Sequence, residues 1–78
     1  MNFHEFIRSK GITQAQLADA MRCGAAHISK WATGENFPNP TSINNIIEGF
    51  ASIGITVVYD DVYSALLCTK RERNAKEN

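Results

Sequence analysis

The sequence predicts an all-α domain of five short helices, with one short β-strand at about residues 55–59. Three observations carry this expectation. Asn2 with Glu5, and Thr13 with Gln16, are capping-box pairs that each stand just ahead of apolar residues at helical spacing. Gly11, Gly34 and Gly54 fall where such runs stop, and glycine accepts the left-handed cap at little cost. The run Ile55-Thr56-Val57-Val58-Tyr59 is β-branched and aromatic and too short for a helix.

Taken in order, Asn2 caps a first helix whose inner face is Phe3, Phe6 and Ile7, and Gly11 ends it. Thr13 starts a second helix at Gln14, with Leu17, Ala18 and Met21 inward. Ala18 is small enough to let another helix cross closely. A break at Arg22-Cys23-Gly24 leads to a third helix with Ile28 and Trp31 on its buried side, closed by Gly34. Its other positions, Ala25, Ala26, His27, Ser29 and Lys30, point outward and carry no acid, a face suited to the major groove of DNA. The stretch ENFPNPTS reads as a loop, with Pro38 and Pro40 forbidding regular helix before Thr41. Thr41 or Ser42 then caps a fourth helix through Ile53, with Ile43, Ile46, Ile47 and Phe50 facing the core. Gly49 lies inside that helix at a cost of about 1 kcal/mol relative to alanine, either for close packing or simply tolerated. Asp60 or Asp61 caps a last helix from Val62 to about Lys70. The domain is expected to span 1–70, with the charged stretch 71–78, RERNAKEN, as a disordered tail.

Composition bounds the function. A chain of 78 residues makes one small domain, near the size where a single core is marginal unless well packed or oligomeric. A hydrophobic share of 44% argues against wholesale disorder. No apolar run approaches the length of a membrane span, and the expected location is the cytoplasm. Cys23 and Cys68 read as reduced, buried or nearly buried thiols rather than a disulfide framework. His4 and His27 show no metal-ligand spacing with either, so no metal or cofactor is expected. Paired carboxylates, a Ser/His/Asp set and a phosphate-cradling glycine loop are absent from the pattern, and no enzymatic activity is expected.

The net charge is zero but unevenly spread. Residues 1–34 carry a net +2, residues 35–61 a net −4 (Glu35, Glu48, Asp60, Asp61), and residues 62–78 a net +2. Non-specific DNA affinity rises with the number of phosphates neutralised, so such a chain binds random duplex weakly. Specific binding then requires neutral donors, helix N-termini and two subunits acting together.

Residues 14–33 resemble the helix-turn-helix of the phage lambda and 434 repressor/Cro family, the XRE-type regulators. Gln14, the Leu17-Ala18 pair, Met21, Ile28, the Ser29-Lys30-Trp31 run and Gly34 match in register, and the resemblance extends from about Phe3 to Gly54. One position departs: the family usually has glycine in the turn, where this chain has Arg22. A left-handed arginine there costs roughly 1–2 kcal/mol. The resemblance implies a DNA-binding regulator that sits as a dimer on a two-fold symmetric operator. It also implies that Gln14 reaches a phosphate.

The remaining candidate contacts take their places from the resemblance, which puts base-reading side chains at Ala25 and Ala26 and a buried residue at Trp31, and their chemistry from the residues. Ala25 and Ala26 either pack methyls on thymine or only allow close approach. His27 is a phosphate donor candidate. Ser29 and Lys30 are the strongest reading candidates, Lys30 toward guanine O6 and N7, or else toward a phosphate or Glu35. Trp31 reads as core before stacking platform. The amides of Thr33, Gly34 and Asn36 are candidates for phosphate, whereas Arg8 and Lys10 read as solvated surface.

The expected partners are a double-stranded operator and a second copy of the chain. Residues Ile55, Thr56, Val57, Val58 and Tyr59 have no second strand to pair with in the chain, so they are expected to pair across a homodimer. Ile55, Val57 and Tyr59 would share one face. Two other functions fit the sequence: an antitoxin of the same fold that also binds a toxin protein, and a protein-interaction module that does not bind DNA.

Overall fold

The computed structural model describes residues 1–77, with side chains described through Ala75. It contains α1 (Phe3–Ser9), α2 (Gln14–Met21), α3 (Ala25–Thr33), α4 (Pro40–Ser52) and α5 (Tyr59–Glu77). Both capping boxes form. Asn2 accepts from the Glu5 amide at 2.8 Å, and Thr13 accepts from that of Gln16 at 3.1 Å. The returning bonds, from the amides of Asn2 and Thr13 to the side chains of Glu5 and Gln16, are 3.0 and 2.8 Å.

The helices pack α2 against α3 and α4, while α5 lies across α1, α3 and α4. Phe3, Ile7, Leu17, Ile28, Ile43, Ile46, Phe50, Val62 and Leu66 are fully buried at the centre. Phe6 meets Phe50 edge-on, with ring centroids 5.9 Å apart. Met21, Trp31 and Ile47 are half-buried and pack against this core, as do Cys23 and Tyr59. Both thiols are free. Cys23 is only half-buried because it belongs to the turn itself, where one side of the chain faces water.

Arg22 ends α2 in the left-handed conformation, with φ 56° and ψ 42°. Two amides consume the freed carbonyls: Arg22 N–H donates to Asp19 and Cys23 N–H to Ala18, at 3.1 and 3.0 Å. The close of α2 is thereby satisfied without glycine, at the conformational cost named above. Gly49 has a packing reason. A Cβ there would come within 2.5 Å of Met21 Cγ, so its absence brings α4 down onto α2.

Three boundaries differ from the sequence expectation. Pro40 does not exclude helix; it occupies the first turn of α4, and Asn39, not Thr41 or Ser42, is the cap, accepting from the Ser42 amide at 2.8 Å. Proline is tolerated there because its missing N–H is one the helix leaves unpaired anyway. No strand forms over 55–59 among the described residues. The Ile55 amide closes α4 by donating to the Phe50 carbonyl at 2.9 Å, and the Val58 carbonyl opens α5 by accepting from Val62 at 3.2 Å. Tyr59 is the first residue of α5, and Asp60 and Asp61 lie in its first turn, where acids favour the positive helix end.

The third difference is length. α5 runs past Lys70 to Glu77, so 71–77 is helical rather than a disordered tail; Asn78 lies outside the described residues. Arginine, glutamate and alanine are good helix formers, and tertiary contacts hold the extension. Asn2 Nδ2 donates to the Glu72 carboxylate at 3.0 Å, and Arg73 covers Gly34. No described helix is long and apolar enough to cross a membrane.

Candidate nucleic-acid interface

The geometry of α3 follows from which residues it buries. Ile28 is fully buried, and Trp31 and Ala32 pack half-buried against the core. Helical spacing then turns Ala25, Ala26, Ser29, Lys30 and Thr33 to the opposite face, with His27 at its edge, and all six are exposed. The face contains one fixed cation, Lys30, one histidine, and no acid. Two alanines and a serine keep its first turns low, so a groove wall can approach the backbone. Gly24 caps the helix with extended backbone and no side-chain bond, which leaves the start of α3 equally unobstructed.

The far end of α3 is fixed from beneath. Gly34 is left-handed, with φ 80°, and a Cβ there would lie 3.1 Å from Arg73 Cβ and 3.2 Å from the Thr69 carbonyl. α5 therefore presses directly on the end of this helix. The amides expected to hold phosphate are otherwise engaged. Gly34 N–H donates to the Trp31 carbonyl and Asn36 N–H to that of Lys30, each at 3.3 Å. These carbonyls lie in the last turn, where a helix leaves its backbone acceptors without backbone donors of its own, so the chain supplies amides as it turns away. Only the exposed side chains of Thr33 and Asn36 remain as contact candidates there, and the Thr33 hydroxyl itself donates to the Lys30 carbonyl at 3.2 Å.

Gln14 belongs to a different corner, where α1 meets the start of α2. It is half-buried, and its Nε2 lies 2.9 Å from His4 Nδ1. Both border an open groove of about 410 Å³, lined also by Arg8, Gly11, Ile12 and Thr13. Sequence reasoning placed Arg8 on solvated surface and assigned His4 nothing. Their spacing of four on α1, which stacks them on one face, was the available signal.

The expected dimer segment is divided. Val57 is buried and Ile55 and Tyr59 are half-buried, whereas Thr56 and Val58 are exposed. The alternation read from the sequence is present in the burial, without a strand to carry it. No group of three or more His, Cys, Asp or Glu residues capable of holding a metal ion occurs among the described residues.

No protein-family model, no curated protein and no solved structure matches this chain.

Proposed function

We propose that this protein is a sequence-specific DNA-binding regulator of transcription, resembling the phage lambda and 434 repressor/Cro kind. It acts in the cytoplasm as a homodimer on a two-fold symmetric operator. The observation that carries the proposal is the outward face of α3: six exposed residues without an acid, on a helix anchored by Ile28 and Trp31. In this reading α2, the left-handed turn at Arg22 and α3 form the DNA-binding unit. Ala25 and Ala26 admit the groove wall, Ser29 and Lys30 reach base edges, and His27 and Thr33 lie toward the phosphates. Gln14, with Arg8 beside it, is the phosphate contact of the other corner. Half-sites are then separated by about one helical turn, roughly 34 Å.

Neutral overall charge makes a quantitative demand on this proposal. Few cations are available per subunit, so the logarithm of affinity falls with the logarithm of salt at about 0.9 per phosphate neutralised. The slope should be shallow, and most of the affinity should come from sequence. Selection of bound duplexes from a random pool, followed by titration of the winner against a scrambled duplex, is the test. A two-fold symmetric consensus supports the reading. Absence of binding to any duplex at low salt sinks it in favour of a protein-interaction module.

A further inference from the structure

One flank of α5 carries an aromatic patch open to solvent. Tyr59 and Tyr63 stack with ring centroids 6.3 Å apart and planes 13° apart, and Phe37 meets Tyr63 edge-on at 5.7 Å. Lys70 Nζ lies 5.5 Å from the centroid of Phe37. Packed among themselves, these rings still face water: Phe37 is 38% exposed, Tyr63 42%, and Val58, at the head of the same helix, 54%. Tyr59, Tyr63 and Lys70 recur at helical spacing along one stripe, with half-buried Leu67 beside them. An apolar surface of this kind, rimmed by charge, marks an interaction site.

The charges identify what covers it. Beside the aromatic stripe α5 has Asp60 in its first turn and Lys70 and Arg71 beyond its middle, while Asp61 turns toward Met1 and Phe6. A surface acidic at one end, basic at the other and apolar in the centre is complementary to itself turned about a two-fold axis. The stripe has its midpoint at the level of Ala65. Antiparallel pairing about that level sets Tyr63 against the partner's Leu67 and Asp60 against the partner's Lys70. Parallel pairing would set acid against acid.

We propose that a second copy of this chain docks here, α5 antiparallel to α5 across the Phe37–Tyr59–Tyr63 patch. The pairing deepens the dimeric reading given above and replaces the strand expected at 55–59. Val58 and Tyr59 keep a part in it as side chains, not as backbone ladder. Phe37 lies in the link that follows α3, so the axis runs beside the candidate reading helix.

Sedimentation equilibrium without DNA tests the pairing, on the parent, Asp60→Lys, Lys70→Asp, Tyr63→Ala and an equimolar mixture of the two charge variants. Circular dichroism of each confirms that it is folded. The parent should dimerise with rising concentration. Reversing either charge sets two like-charge pairs across the axis and should weaken association roughly tenfold. Tyr63→Ala should weaken it by about tenfold or more. The mixture should recover parental affinity, because each reversed charge then meets its opposite in a heterodimer. A parent that stays monomeric at millimolar concentration overturns the proposal, as does a mixture no tighter than its components. A protein that dimerises in this way but binds no duplex keeps the interface and loses the DNA-binding function.

Discussion

Gly49 on α4 lies so close to Met21 on α2 that a Cβ built on it would stand 2.5 Å from Met21 Cγ and 3.5 Å from Leu17 Cδ1. Alanine at this position gains about 1 kcal/mol of helix propensity, but overpacking costs about 1–3 kcal/mol. Gly49→Ala should therefore lower unfolding free energy by about 1 kcal/mol in urea denaturation. With Met21→Ala already present the obstruction is gone, and the same change should raise stability. A stabilising Gly49→Ala in the parent would show that Met21 yields its place freely.

Thr69 is a buried hydroxyl, 5% exposed, that accepts from the Phe3 amide at 2.8 Å and donates to the Ala65 carbonyl at 3.1 Å. It supplies the last helix's cap to the first. Thr69→Val keeps the shape but leaves the Phe3 N–H without its acceptor, and should cost about 1–3 kcal/mol. Amide exchange at Phe3 should quicken in that variant. Unchanged exchange there would mean that the hydroxyl is dispensable to α1.

Arg22 is exposed and is the only non-glycine residue with positive φ among those described. Relief of left-handed strain is worth about 1–2 kcal/mol, and glycine returns part of it as unfolded-state entropy. Arg22→Gly should raise the melting temperature by a few degrees. A lower melting temperature would assign Arg22 a contact that outweighs its strain.

Lys30→Ala should weaken operator binding by about 1–3 kcal/mol and relax preference at one base pair per half-site. A loss uniform over all sequences would make Lys30 a phosphate contact. Ala26→Glu, at an exposed position, should abolish binding and leave the melting curve in place. Full operator affinity in that folded variant would remove α3 from the interface.

Much of this fold could be read along the chain because its signals are local. Asn2 with Glu5 and Thr13 with Gln16 act within one helical turn, and Ile28 and Trp31 define the outward face of α3 by spacing alone. The segment 55–59 misled because its composition favours a strand, while hydrogen bonds to Phe50 and from Val62 commit its ends to neighbouring helices. Pro40 misled because the rule against proline relaxes in the first turn. The Gln14–His4 bond, the cover of Arg73 over Gly34 and the ring cluster of Phe37 with Tyr63 join residues well apart in sequence. Periodicity holds no trace of such contacts.

The bonds that tie α1 to α5 also order events during synthesis. Phe3 finds its acceptor on Thr69, and Asn2 its partner on Glu72, separations of 66 and 70 residues. The capping box of α1 closes locally, but the Phe3 amide has no acceptor until α5 has been made. A chain stalled on the ribosome before Thr69 should therefore hold α1 less firmly docked, and protease protection of α1 in stalled chains of increasing length checks this.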